Sequence, residues 1–390
     1  MGERMAATKI SANTQEELQR IAAELVPTLE MPSLVYGQGM YINLASFDFE
    51  KTIGLLREQK ASFLKIEADS PVIISTLREQ SPAFIQQYAT ALIFPAENKL
   101  IAAQYAFVPT VHVVIVPRGV VVAKPIVIEN TAILPAQAES ILFVFEEGAT
   151  ATVIERQTSS SANQFGSQMI QIHLHPQAHV RYYTIQDHAD FTHTFITKRA
   201  VLDHDASLTW IDALAGGKFT QFALKNILQG EGATATTYTL YSGDGGQIFD
   251  LNTETMHQGK HTKGMMKARG VLDGHAKTVY RGTVSISPSS PGAIAQQKSE
   301  TLLMGEHASC DAVPVLDVHH HDVVCSHGAA LGQISEESLF YVMSRGLDLA
   351  TAKRIIIEGF LGEYLREMSE IYLQNEIKTV LSKRGGSVEN

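Results

Sequence analysis

Cysteine is almost missing: Cys310 and Cys325 are the two thiols in 390 residues, too few for a disulfide framework. Basic charge is also short. Thirty-one lysines and arginines face 41 acidic residues, a net charge of −10, and no basic face is concentrated enough for phosphate contacts. The same balance argues against an anionic membrane surface. The longest apolar run, Val111 to Ile128, is broken by Pro117, Arg118, Lys124 and Pro125, so it does not read as a membrane span. The first twenty residues are polar and helix-forming, without the apolar core of a secretory signal. A soluble protein of a reducing, cytoplasmic compartment is expected.

Several catalytic signatures are absent too. Gly217-Lys218 is followed by Phe219, so no phosphate-cradling loop is indicated. Gly243-Asp-Gly-Gly246 lacks the last glycine of a dinucleotide fingerprint and sits among strands, which reads as a turn. There is no His-Glu-x-x-His, Cys-x-x-Cys or Gly-x-Ser-x-Gly. These absences remove nucleotide hydrolysis, zinc proteolysis and serine hydrolysis, and no catalytic residue is singled out.

What is present is a globular composition, 45% hydrophobic and 18% charged, in a chain long enough for a large core with appended subdomains. Residues 1–98 read as mainly helical. Thr14-Gln-Glu-Glu17 is a capping-box pattern ahead of Leu18, Ile21, Ala22 and Leu25. Phe49–Lys60 and Pro82–Ile93 suggest two further helices, with short strands possible around Phe63 and Val72. From about Lys99 to Gln333 the pattern is period two. A polar or glycine turn, then alanine, then an alternating strand recurs, with alanines at 149, 178, 206 and 233 spaced 29, 28 and 27 apart. It returns less regularly at Gly274-His-Ala and Glu306-His-Ala. Such a period without intervening helices predicts a β-solenoid. Residues 334–390 turn helical after Ser335, with Glu336 and Glu337 in a first turn, Gly346 as a stop and Asp348 as an N-cap. Ala352, Ile356, Phe360, Tyr364 and Met368 recur every four residues, flanked by Ile357, Leu361 and Leu365. That stripe either docks on the solenoid or offers a surface to a partner.

The densest chemistry lies in Asp311–Gln333, with four histidines, two more aspartates and Cys325. Read as one extended strand, His319, His321, Val323, Cys325 and His327 share a face. A thiol beside an imidazole can bind metal, carry sulfur or act as a nucleophile. The structural reading of the same residues is a small core thiol and a hydrogen-bonded histidine. His257-Gln-Gly-Lys-His261 has no adjacent acid and reads as a polar turn.

These stretches resemble the SufB/SufD family of iron–sulfur cluster assembly proteins, on its SufD side. Val116-Pro-Arg-Gly-Val-Val-Val-Ala-Lys-Pro-Ile and Phe145–Glu155 resemble early solenoid coils of the family. His257–Lys263, Gly270–Gly274 and Gly282 resemble later ones. Asp322-Val-Val-Cys-Ser-His-Gly-Ala-Ala-Leu-Gly-Gln, continuing to Phe340-Tyr-Val-Met-Ser-Arg-Gly346, is the most specific match. The likeness covers roughly Lys99 to Leu365. Ser299 falls at or near the place of a SufB ligand cysteine. His320 and His321 stand where acidic or small residues are common, and Val324 where lysine is common.

The resemblance implies a mainly β fold, a right-handed parallel β-helix flanked by helical subdomains. It implies a non-enzymatic scaffold that pairs with a SufB-type paralogue and binds a SufC-type ATPase, supporting nascent cluster assembly and iron acquisition. His327 and Cys325 become the candidate interface and metal residues, shared with SufB; Phe340, Tyr341, Arg345, Ile356 and Phe360 become candidates for gripping SufC. With two cysteines against the roughly four thiolates a cluster takes, any cluster or iron must be shared, and any nucleotide belongs to the partner. An uncovered solenoid end also makes a homodimer of the isolated chain plausible. Two other readings stand beside this one: a lone β-helix metalloenzyme using His319, His321 and His327, and a purely structural partner of SufB.

Overall fold

The computed structural model describes residues 12–32, 42, 47–334, 336–368 and 370–383. The expectations for the polar first eleven residues and for Ser335 as the helix boundary lie outside them, as does the placement of the Glu336 side chain. In chain order the strands are β1 (Leu64–Glu67), β2 (Ile73–Thr76), β3 (Val111–Val116), β4 (Ile126–Ala132), β5 (Ala136–Phe145) and β6 (Thr150–Ser159). Then come β7 (Phe165–Leu174), β8 (His179–His188), β9 (His193–Leu202), β10 (Ser207–Gly216), β11 (Phe219–Leu228) and β12 (Thr234–Gly243). The last are β13 (Ile248–His257), β14 (Lys263–Leu272), β15 (Lys277–Ile286), β16 (Ala293–Leu303), β17 (Ser309–Val318) and β18 (Val323–Gln333). Even-numbered strands from β4 to β18 pair in parallel in one sheet, and odd-numbered strands from β3 to β17 in the other. Each coil therefore gives one strand to each sheet, and the chain is the expected parallel β-solenoid.

The coils close through a stack of tight corners. The N–H groups of Gly119, Gly148, Gln177, Asp205, Gly232, His261 and Gly292 donate to the carbonyls of Glu147, Pro176, His204, Glu231, Lys260, Pro291 and Asp322, each one coil on. All seven donors are left-handed, with φ from 52° to 73°. Glycine adopts that conformation freely; Gln177, Asp205 and His261 pay about 1 kcal/mol each for it. The residue after each corner turns inward, which is why Ala149, Ala178, Ala206 and Ala233 are fully buried in one core. The phase continues at Thr262 and Ala293, both buried. Ala276 and Ala308, read as later copies of the same repeat, instead precede β15 and β17 at the opposite corner. Both corners need a small inward residue, so the motif recurs there out of phase.

The interior is not wholly apolar. Lys198 on β9 is fully buried beside Glu155 and Asp212, which are also fully buried. Tyr182 and Gln168 donate to the Glu155 carboxylate. This charge set sits on the inward faces of β6, β8, β9 and β10, among Tyr182, Trp210 and Phe222.

The two ends of the solenoid differ. At the first coil, β1 pairs antiparallel with β4 and β2 with β3, and helices α1 (Gln15–Leu25), α2 (Phe49–Leu56), α3 (Pro82–Phe84, continued by a π-helical turn to Ala89) and α4 (Lys99–Phe107) pack nearby. Thr14 caps α1 by accepting from the Glu17 N–H at 3.1 Å. The Glu17 carboxylate accepts from Asn13 rather than from Thr14, a box shifted by one residue. Lys99–Phe107 is helix, not strand, so the period-two pattern begins at Val111. Asn98 caps that helix, and burial on most sides hides its 3.6-residue periodicity.

At the other end follow α5 (Glu336–Met343), α6 (Leu349–Leu365) and α7 (Ile371–Ser382). Ile357, Leu361, Tyr364 and Leu365 of α6 and Leu373, Ile377 and Leu381 of α7 are buried with Tyr183, Ile211 and Leu240 of the β4–β18 sheet. Most of the apolar stripe on α6 is thus spent on the protein's own solenoid. Charged groups fasten the edge of this contact. Arg156 meets Glu376 at 2.6 Å, Lys267 meets Glu367 at 3.1 Å, and Arg269 meets Glu363 at 2.8 Å.

Candidate functional site

No strand covers β17 or β18 among the described residues, and each is the last of its sheet. Together they expose 10- and 11-residue parallel edges. In register, Cys325 lies opposite Ala295, His327 opposite Gln297 and Ala329 opposite Ser299. Ala295, Gln297 and Ser299 face inward and are buried, so Cys325 and His327 lie on the inward side of the uncovered coil. This agrees with the shared face read from their spacing. Cys325 packs beside Met266, Val284 and Ile286, while His327 is exposed. Burial pushes the Cys325 thiol up, as it does the Cys310 thiol, which lies beside Thr301 and Tyr241 inside the solenoid. Both therefore favour the neutral thiol, not the thiolate that attacks or ligates.

The single-strand reading of His319–His327 fails at its start. β17 ends at Val318 and β18 begins at Val323, so His319, His320 and His321 belong to the corner between sheets. Two of them serve that corner. His319 Nε2 is 2.8 Å from Asp317 Oδ1, and His320 Nδ1 accepts from the Asp322 N–H at 3.0 Å. His319 and His321 thus do not extend the face of Cys325 and His327, which removes the geometry of the lone metalloenzyme. Among the described residues no group of three or more His, Cys, Asp or Glu side chains is placed to hold a metal ion. His257 is likewise not in a turn. It is fully buried, with Nδ1 2.8 Å from Thr262 Oγ1, and the turn is made by the residues after it.

The second candidate surface is a groove of about 760 Å³ between the end of β18 and the following helices. Phe340, Tyr341 and Ile356 line it with Ile334 and Val342. Phe340 and Tyr341 are 73% and 62% exposed, which is unusual for rings without a covering partner. Arg345 lies over the Tyr341 ring and donates to its hydroxyl. Phe360 differs: its ring lies under Arg269 and its carbonyl accepts from that guanidinium at 2.6 Å. The five candidates therefore divide into three that line the groove, Arg345 packed on one of them, and Phe360 committed to the contact between helix and solenoid. Gln297, which spacing alone did not single out, is the buried neighbour of His327. No sequence signal marks it, because only the β16–β18 pairing brings it beside His327.

Fold and site together define a parallel β-solenoid that carries Cys325 and His327 on the inward side of a last strand left uncovered among the described residues. Residues 127–360, well over half the chain, match the family model described as SUF system FeS cluster assembly, SufBD core domain, and the chain belongs to that family of iron–sulfur cluster assembly proteins. It is 26% identical over 392 residues to an iron–sulfur cluster assembly SufBD family protein of Staphylococcus saprophyticus, covering 97% of this chain and 82% of the relative. A Staphylococcus aureus protein of the same description is 27% identical over 322 residues, covering 80% and 68%. No helix among the described residues is long and apolar enough to cross a membrane.

Proposed function

We propose that this chain is a non-enzymatic scaffold subunit whose open end pairs with a SufB-type paralogue, with the nascent iron–sulfur cluster built across that joint. The observation that carries this reading is the pair of uncovered parallel edges with His327 and Cys325 on their inward side. Unpaired edges of that length favour strand addition by a matching solenoid. The same edges allow a homodimer when the paralogue is missing. The cluster is cargo, and its ligand count sets the division of labour. It takes about four thiolates or equivalents; this end offers one imidazole and one neutral thiol, so the paralogue supplies the others. His327 is the contributed ligand or proton carrier, and Cys325 a nearby thiol of lesser weight.

The groove lined by Phe340, Tyr341 and Ile356, with Arg345 over the Tyr341 ring, is the surface for a SufC-type ATPase. Phe360 passes that contact to the solenoid through Arg269. The missing phosphate loop supports placing ATP on the partner, in a soluble cytoplasmic complex. The test is anaerobic cluster reconstitution with the SufB-type and SufC-type partners, comparing wild type with His327→Ala after both are shown to assemble. Lost cluster absorbance in an intact complex supports the assignment. Unchanged absorbance removes His327 from the chemistry and leaves a structural partner.

A further inference from the structure

His327 sits one rung from Gln297 in the β16–β18 ladder, a separation of about 4.8 Å in the hydrogen-bonding direction. Gln297 is 2% exposed, and its Oε1 has no hydrogen-bond partner. The rung on its other side is Met266, itself buried, which has no donor to offer. Across the core the amide lies against Gly282, where an added Cβ would stand 1.9 Å from Gln297 Nε2. Two features thus hold a long polar side chain in place: a glycine that makes room for it and a ladder position next to the exposed imidazole. A buried acceptor left without a donor is destabilising, so this oxygen calls for an N–H or O–H from the open side.

We propose that Gln297 is the positioning residue for His327, its Oε1 accepting the imidazole N–H once the open end is covered. This rests on His327 being the contributed ligand. The bond selects one tautomer and directs the other ring nitrogen, with its lone pair, toward the joint. Histidines that bind metals generally donate their second ring N–H to such an acceptor, and that bond decides which nitrogen is free. No proton is gained or lost in this step; the amide only chooses where the existing one resides.

The test uses the complex with its SufB-type and SufC-type partners, ¹⁵N-labelled at histidine rings, with His327→Ala identifying the signal. Wild type is expected to show one dominant His327 tautomer. Gln297→Met keeps the volume but removes the acceptor; it should give a mixed tautomer and about a tenfold loss of retained ferrous iron. Gln297→Glu keeps an acceptor oxygen and should restore the single tautomer. Gly282→Ala, which pushes the amide aside without changing it, should resemble Gln297→Met. A wild-type tautomer pattern in Gln297→Met, in an assembled complex, overturns the proposal. If instead the tautomer shifts while His327→Ala leaves cluster formation intact, the positioning stands and the role of His327 falls.

Discussion

Replacing Lys198 with methionine asks whether the solenoid tolerates its interior carboxylates only beside a cation. The ammonium is 2.7 Å from Asp212 Oδ1 and 3.9 Å from Glu155 Oε2, all three side chains being fully buried. It also donates to Thr184 Oγ1 and lies 4.8, 5.1 and 5.6 Å from the ring centroids of Tyr182, Trp210 and Phe222. Methionine fills nearly the same space, so little cavity cost arises. What it removes is the cation between two carboxylates. Asp212 Oδ2 already lacks a hydrogen-bond partner, so that group has nothing else to turn to. Stranding a buried charge in this way costs about 3–5 kcal/mol, a large part of the roughly 5–15 kcal/mol that holds a domain together. Trp210 is the single tryptophan and donates to Asn226 Oδ1 at 2.9 Å, so its fluorescence during urea unfolding reports this coil. At an m-value of about 2–3 kcal/mol/M the midpoint should fall by about 1–2.5 M. Glu155→Gln/Lys198→Met/Asp212→Asn, which leaves no net charge behind, should recover at least half of that loss. A cost under about 1 kcal/mol for Lys198→Met, or a triple variant no more stable than the single one, would refute the argument.

Burial holds the Glu139 carboxyl up at about 7, although the Phe63 N–H, Ser62 hydroxyl and Gln137 amide all donate to it. A raised folded-state pKa gives stability that is full below about 4.5 and lost as pH rises through about 7, so wild type should lose about 3 kcal/mol relative to Glu139→Gln between pH 4.5 and 8; equal urea midpoints at both pH values would exclude this. His173, His188 and His257 run the other way: burial lowers each to about 4, so their contribution is full above about 6.5 and lost as pH falls through about 4. His257→Gln should therefore narrow the gap between melting temperatures at pH 7 and pH 5, and an unchanged gap counts against the assignment. At Gly270 an added Cβ would stand 2.0 Å from the Tyr241 ring; Gly270→Ala should cost about 1–3 kcal/mol through overpacking, checked by thermal melting. Leu331 is 54% exposed on the open coil, and Leu331→Lys should weaken both self-association and pairing with the paralogue in analytical ultracentrifugation, while the circular dichroism of the monomer stays unchanged.

The solenoid was legible because its corner imposes a residue type: a left-handed position, then a small inward side chain, once per coil. That produced the alanine period from 149 to 233. It blurred where Thr262 took the small position, and where the opposite corner made Ala276 and Ala308 look like further copies. Helix α4 was hidden for a different reason. Leu100 to Tyr105 are all buried, so its residues show no polar face to mark a helical turn, and their apolar run reads as strand. At the site, spacing correctly placed Cys325 and His327 on one side, since both lie within β18. It failed for His319 and His321 because a solenoid corner interrupts the alternation, and nothing in a run of polar residues says where a strand stops. Gln297 could be recognised only after pairing placed a residue thirty positions earlier beside His327.

The difference between the two ends also bears on assembly. A parallel solenoid with two open ends would add copies head to tail, because each added coil presents the edge that the next one needs. Here β1 and β2 run antiparallel to the first coil and end the parallel series, and at four residues each they offer much shorter edges than β17 and β18. The C-terminal helices α6 and α7 pack on the β4–β18 sheet, chiefly against β8, β10, β12 and β14. Glu300 on β16 pairs with Arg269 and stands opposite Ala330 of β18, while Arg269 also holds Glu363 and the Phe360 carbonyl. A displacement of α6 therefore acts on a buried guanidinium only one strand from the exposed edge. These charged contacts thus tie α6 to β14 and β16 on the outward side of the sheet, next to its last described strand.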